Sequence, residues 1–340
     1  MTDPQGCRLG VSFGLESSLY SFPSGNPMNS SRTELFAASM GRLEEEGQKE
    51  DKAKAITVLR PERAREEDLL LFHTKAYIDF VRQSSVVGKG SLDYGDTPSF
   101  KGVFEASLYP VGNTLKGLRL VLSGEFDHFF NPVGGLHHAR SDRAGGFCVF
   151  NDVAIAVRQL LEKDRLKRVA YVDIDAHHGD GVFYAFESDP RVIIGDVHED
   201  GRFIYPGTGS SSETGSKGAE GTKLNIPMQP WSGDAEFFKA FDQIEQFLRN
   251  HEPEFILFQC GADCLAGDPI THLSYSPAVH AYAAKKLHRL AHDVCGGRIL
   301  AMGGGGYDPL NVSEAWTAVM AELSGRKVGA TDLASLGPWW

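Results

Sequence analysis

No stretch of the 340 residues stays apolar for the roughly 18 positions that a membrane-crossing helix needs. The polar amino terminus also lacks the apolar core of a secretory signal, so a cytoplasmic protein with no membrane partner is expected. Cysteine is scarce. Its five residues, at 7, 148, 260, 264 and 295, are odd in number and scattered, which excludes a disulfide framework and points to reduced thiols. Basic charge is in deficit, 34 Lys and Arg against 45 Asp and Glu; the net charge of −11 argues against direct binding to nucleic acid, while a basic peptide would be attracted. No Pro/Ser linker, charge block or internal repeat divides the chain, so one domain over residues 1–340 is expected.

What the chain does have is a series of short apolar or β-branched runs, each ending in a polar loop and followed by a helical pattern. Residues 169–174, 192–197, 255–259 and 299–302 read as strands. Residues 152–163, 234–251, 277–295 and 312–323 carry apolar side chains at three- and four-residue spacing and read as helices. Ser276-Pro277 offers a cap with proline in the first turn, and Gly296-Gly297 closes the same helix. This alternation predicts an α/β fold, a central and mostly parallel sheet with helices on both faces and reactive residues at the carboxyl ends of its strands. Residues 41–69, rich in Glu, Lys and Arg, read as a solvated helix turning into 72–81; segments 21–32 and 89–100 read as loops that shape a mouth.

The chemistry concentrates in Tyr171-Val-Asp-Ile-Asp-Ala-His-His-Gly-Asp-Gly181, where Asp173, Asp175, His177 and Asp180 appear as a strand runs into a glycine-flanked loop. A buried carboxylate with neither a cation nor a hydrogen-bond partner costs several kcal/mol, roughly, so partners must lie nearby. Three other places supply candidates: His137-His138, Asp263 after an apolar run, and Tyr307 after four glycines. Two carboxylates and an imidazole make a three-ligand set for a hydrolytic metal, with positions left for water and substrate. The four glycines lack the G-x-G-x-x-G or G-K-[ST] continuation of a phosphate loop. Phe147 and Tyr205 would be core aromatics by default. His73, His178, His198, His272, His280, His288 and His292 read as structural, with His178 and His198 the first exceptions to consider.

Taken together, Gly-Leu-His-His, Gly-Gly-Phe-Cys-Val-Phe-Asn-Asp, Asp-Ile-Asp-Ala-His-His-Gly-Asp-Gly, Tyr-Pro-Gly-Thr-Gly, Gly-Ala-Asp and Gly-Gly-Gly-Gly-Tyr-Asp fall in one order over residues 10–325. That set resembles the histone deacetylase superfamily, and most of all its prokaryotic branch of acetoin-utilisation proteins and related amidohydrolases. The resemblance implies an arginase-like α/β fold and zinc-dependent hydrolysis of an acetylated protein or a small acetylated amine. It implies that Asp175, His177 and Asp263 hold the metal, zinc or ferrous iron. It makes His138 the general base, His137 its electrostatic assistant, Asp173 and Asp180 their hydrogen-bond partners, and Tyr307 the donor to the oxyanion. It places a structural potassium ion at Asp173, Asp175, His177, Asp196 and Val197. By the same route Phe147 and Tyr205 sandwich an aliphatic stem, Gly146 lines the wall, Asp96 stands at the rim and Arg32 lies below the metal where acetate leaves.

Three positions depart from the family pattern. Asn26-Pro27 replaces a usual His-Pro, Asp196 stands where serine is usual, and Ile270 stands where polyamine-selective relatives carry a glutamate. Two rival functions share parts of the pattern. A ureohydrolase needs a second metal bridged by further Asp-x-Asp carboxylates, a spacing absent after Asp263; an acetyl-lysine-binding module would need neither Tyr307 nor the histidine pair.

Overall fold

The computed structural model describes residues 6–23, 25–47 and 56–325. Among them eight strands form one sheet, in the order β2 (Ile56–Leu59), β1 (Leu9–Ser12), β3 (His128–Asn131), β8 (Ile299–Met302), β7 (Ile256–Gln259), β4 (Val169–Asp173), β5 (Val192–Glu199) and β6 (Lys223–Met228). Every pairing is parallel, so all the carboxyl ends lie along one edge of the sheet. The expected α/β architecture holds, with parallel pairing throughout.

Successive side chains of a strand point to opposite faces, and here both faces are covered. Ala170, Val172, Ile193, Ile256, Phe258, Ile299 and Ala301 pack on one side. That side is covered by α1 (Ser31–Gly47), α7 (Asp234–His251), α8 (Ala278–Val294) and α9 (Pro309–Ser324). Val169, Tyr171, Val192, Ile194, Leu257, Leu300 and Met302 pack on the other. There they meet α4 (Val103–Leu122), α6 (Asp180–Phe186) and α5 (Asp152–Arg158), which a π-helical turn over Gln159–Lys163 continues. Fully burying one such side chain is worth about 1.5–3 kcal/mol, which is why strands of four or five residues suffice when both faces are dry.

Several elements differ from the sequence expectation. Residues 41–69 are not one solvated helix: α1 already starts at Ser31, β2 follows, and the short α2 (Glu66–Leu69) comes after it, while residues 48–55 lie outside the described residues. Arg32 is therefore helical rather than part of a loop. Residues 72–81 run into α3 (Lys75–Val87), whose cap Thr74 accepts a hydrogen bond from Tyr77 N. Strands β1, β2, β3 and β6 and helix α4 had no clear sequence signal. Helix α4 holds Pro110 and Gly117 in its interior, residue types that ordinarily weaken a helix. A Cβ on Gly117 would lie 2.5 Å from Phe129 and from Leu300, so glycine is what lets α4 lie this close to the sheet.

The connections also explain where the site lies. From β4 the chain proceeds to β5 on one side, and from β7 to β8 on the other, so the sheet's direction of travel divides between β4 and β7. A crevice opens at the carboxyl ends at such a point. The loop after β4 carries Asp175 and His177, and the loop after β7 carries Asp263.

Candidate active site

Asp175, His177 and Asp263 are buried, and one donor atom from each falls within 4.8 Å of the other two. His177 Nδ1 lies 3.1 Å from Asp175 Oδ1 and 3.0 Å from Asp263 Oδ2. The remaining carboxylate oxygens are held from behind. Asp175 Oδ2 accepts from Gln259 Nε2 at 2.7 Å and from Gly305 N at 2.8 Å, and Asp263 Oδ1 accepts from Ala176 N at 2.9 Å. Each carboxylate thus turns one fixed oxygen toward the imidazole, a donor set that fits a divalent cation whose ligands are oriented by outer partners. Gly305 is required here, since a Cβ would sit 2.1 Å from Asp263 Oδ2. Burial opposes a charge on His177, yet hydrogen bonds and charges from Asp175 and Asp263 raise its pKa to about 10. Burial and the like charge of Asp175 push Asp263 up to about 7.

The histidine pair stands beside this centre. His137 Nδ1 is 2.7 Å from Asp173 Oδ2, His138 Nδ1 is 2.7 Å from Asp180 Oδ1, and the two Nε2 atoms face each other at 3.0 Å. Asp173 also accepts from the Tyr171 hydroxyl, and Asp180 from Arg140 at 2.6 Å. The two imidazoles differ sharply. Burial works against a proton on His137, but Asp173 and Asp175 outweigh it and carry the pKa up to about 10. For His138, burial and then the charge on His137 hold it down to about 4 against the pull of Asp180. The surroundings thus pull the two rings apart, His137 toward its protonated form and His138 toward its neutral one.

A cavity of about 330 Å³ leads to these groups. His138, His177 and Tyr307 line it, Gly146, Phe147 and Tyr205 form its walls, and Asp96, Phe203, Ile270 and His272 stand around its mouth. The Tyr307 hydroxyl makes no hydrogen bond among the described residues. Gly146 and Phe147 both have positive φ, 51° and 65°, and a Cβ on Gly146 would lie 2.4 Å from the His138 ring. The strained Phe147 backbone is clamped by two hydroxyls: Tyr20 donates to its carbonyl at 2.6 Å, and its N–H donates to Thr97 at 3.1 Å. Arg32 does not line the cavity. Its buried guanidinium lies behind Tyr307, 5.5 Å from that ring and 5.8 Å from Trp316, and donates to the carbonyls of Gly304, at 2.7 Å, and Gly306. A larger hollow of about 730 Å³ beside Arg119, Gln159 and Asp164 contains none of these groups.

Sequence reasoning missed several participants. Asp268 accepts from Ile270 N at 3.1 Å and from Tyr307 N at 2.8 Å, tying the mouth to the cavity floor. Asp93 accepts from Thr97 N at 2.9 Å and so fixes the loop that carries Asp96. Gln259 and Tyr20 belong here as well; a glutamine closing an apolar strand was a usable signal, whereas nothing in the sequence points to Tyr20. His272, read as structural, lines the cavity and binds buried Glu199 at 2.7 Å. His178 and His198 do not line it. They bond Thr208 at 2.8 Å and Gly209 O at 2.9 Å, supporting the loop that presents Tyr205.

A model of the histone deacetylase domain matches residues 26–323. The chain belongs to the histone deacetylase family. Like the family, it is a hydrolytic deacetylase that takes an acetylated substrate. It is 40% identical over 280 residues to the acetoin utilization protein AcuC of Bacillus subtilis (strain 168), covering 79% of this chain and 71% of that protein. It is 36% identical over 286 residues to a probable deacetylase of Archaeoglobus fulgidus, covering 83% and 77%. A solved structure of an HDAC homolog complexed with SAHA superimposes with a TM-score of 0.81 at 29% identity, over 98% of this deacetylase and 88% of the homolog. Among the described residues no helix of the deacetylase is long and apolar enough to cross a membrane. All five cysteines are free.

Proposed function

We propose that this deacetylase is a single-domain, cytoplasmic zinc enzyme that removes the acetyl group from acetyl-lysine in proteins. The observation that carries this reading is the cavity itself: Phe147, Tyr205 and apolar Ile270 line it, and it reaches His177, which lies against Asp175 and Asp263. An uncharged four-carbon stem suits such walls, and Ile270 offers nothing to a second ammonium group.

A zinc ion held by Asp175, His177 and Asp263, or ferrous iron in its place, would polarise the acetyl carbonyl and acidify a bound water. His138, neutral and with Nδ1–H on Asp180, accepts the water's proton at Nε2 and later gives it to the departing lysine amine. His137, kept cationic by Asp173, steadies the negative charge that develops beside it. Tyr307 donates a hydrogen bond to the new oxyanion from a hydroxyl that has no other partner among the described residues. Asp96 at the rim accepts from the backbone of the substrate. Among the described residues Arg32 bonds neutral groups, so its charge remains available to draw acetate away past Tyr307. Potassium belongs with the loop of Asp173, Asp175 and His177 beside Val197. Asp196 commits its carboxylate to His198 at 2.6 Å and to Gly179 N at 3.0 Å, so carbonyl oxygens would supply most of that ion's ligands.

The test compares kcat/KM for acetyl-lysine peptides and acetylspermidine, in the parent and in Ile270→Glu. The parent should favour the peptides by about 10- to 100-fold, the value of one charge contact in a site that excludes water, and the variant should move toward the polyamine. A parent that prefers acetylspermidine would sink the acetyl-lysine reading.

A further inference from the structure

A second cluster of metal-binding side chains lies at the amino-terminal end of the sheet, away from the catalytic edge. Cys7 precedes β1, His128 opens β3 and pairs with Leu9, and His288 and His292 stand one turn apart on α8. Cys7 Sγ lies 3.4 Å from Nε2 of His288 and 3.4 Å from Nε2 of His292. The ring of His128 lies 4.6 Å from that of His288 and 5.4 Å from that of His292, and one donor atom from each of the four residues falls within 4.8 Å of the others.

Ordinary hydrogen bonding does not account for this arrangement. A thiol carries one hydrogen, so Cys7 donates to one imidazole at a time. His128 is fully buried and neither of its ring nitrogens is hydrogen-bonded among the described residues; the Gly297 carbonyl faces the ring without reaching that geometry. Buried imidazoles are normally satisfied, so the lone-pair nitrogen of this ring calls for a partner of another kind, while its N–H faces protein. His288 Nδ1 donates to the Glu322 carbonyl at 2.8 Å, which leaves Nε2 as the lone-pair nitrogen turned on Cys7. That is the backing a metal-ligating histidine needs.

We propose that Cys7, His128, His288 and His292 form a second, structural metal site for an ion that favours thiolate and imidazole, zinc above all. A tetrahedral zinc with bonds of about 2.3 Å to sulfur and about 2.0 Å to nitrogen sets S and N about 3.5 Å apart, close to the spacing already present. Binding releases the Cys7 proton and joins the thiolate to the ion. Four protein ligands leave no position for water or substrate, so the ion acts as a clip that fastens β1 and β3 to α8. His292, at the surface, gives it a way in.

Cobalt distinguishes the two centres, because only the cluster at Cys7 contains sulfur. The full chain loaded with Co²⁺ should show a thiolate-to-cobalt charge-transfer band in the near ultraviolet. Cys7→Ala should abolish that band, His292→Ala should weaken or remove it, and zinc content should fall from two ions per chain to one in Cys7→Ala. Both variants should retain deacetylase turnover. If Cys7→Ala does not fold, the surface variant His292→Ala decides on the same band. A parent without a thiolate band, or a band that survives these substitutions, overturns the proposal.

Discussion

At the carboxyl ends of β4 and β7 the two metal-site carboxylates and the rings of His137 and His138 are each bonded on both sides, whereas at the amino ends of β1 and β3 the ring of His128 is bonded on neither. Both ends gather histidines against apolar strands, but the donors differ in kind and number. The carboxyl end offers two carboxylates and one imidazole beside an open cavity; the amino end offers one thiol and three imidazoles. Three hard or borderline donors plus a cavity leave room for a reaction, and four donors including sulfur close a site. One parallel sheet therefore separates its reactive chemistry from a candidate fastening at the opposite edge.

The sharpest way to break that contrast is to delete one ligand at each end. Asp175→Ala or Asp263→Ala should bring hydrolysis to background and lose the metal at that end, because three protein ligands do not hold an ion well when one is gone. Cys7→Ala should leave kcat/KM within about twofold of the parent, the range of a substitution remote from the chemistry. Equal losses from both would erase the distinction. Next in size is Tyr307→Phe, expected to cost about 10²-fold in kcat while metal content stays unchanged, the value of one oxyanion donor. A Phe variant as fast as the parent would move that role elsewhere.

Smaller effects sharpen the account of the carboxyl end. Asp180→Asn removes the charge that steadies His138, and turnover should fall about 10- to 100-fold with the peptide KM little changed. A change in KM alone would argue that Asp180 serves the cavity wall instead. The smallest effect concerns pH. His73 Nε2 accepts from Asn151 N at 2.9 Å, and the Asn151 amide in turn holds the Ala139 carbonyl at 2.9 Å, so this ring supports the histidine pair. Burial lowers its pKa to about 4, from 6.5 in the unfolded chain. The unfolded state therefore binds the proton first. The stability that neutral His73 contributes is present above pH 6.5, is lost as pH falls toward 4, and is level below that, with a slope of at most about 1.4 kcal/mol per pH unit. Urea unfolding at pH 7 and pH 4.5 should show His73→Gln losing less stability than the parent over that interval; parallel losses would remove His73 from the explanation.

Much of the reactive end was legible from the sequence because its residues lie within short, distinctive segments. Asp173, Asp175, His177 and Asp180 sit on one strand-to-loop passage, and a carboxylate in an apolar run has no inexpensive alternative reading. What escaped notice acts at a distance in sequence. Tyr20 reaches Phe147 and Asp268 reaches Tyr307, each by a single hydrogen bond that leaves no local pattern. Strand β3 was hidden by the polar His128 and Asn131 at its two ends, whereas β7 and β8, no longer than β3, are apolar but for Gln259. The cluster at Cys7 was illegible for the same reason as Tyr20: its members come from positions 7, 128, 288 and 292 and meet only in the fold.

The position of β8 bears on how the protein is made. It is the last strand among the described residues, yet it lies between β3 and β7 in the middle of the sheet. While a ribosome is still translating the segment before residue 299, the strands already made can pair only as two separate groups, β2-β1-β3 and β7-β4-β5-β6. The facing edges of β3 and β7 then remain unpaired, and such edges invite aggregation. Closure requires long-range parallel pairing, an intrinsically slow step. Tyr307 emerges only after β8, so an unfinished chain would carry the metal ligands but lack the oxyanion donor. Catalytic competence and protection from aggregation would then arrive together, once β8 and the segment after it have been made.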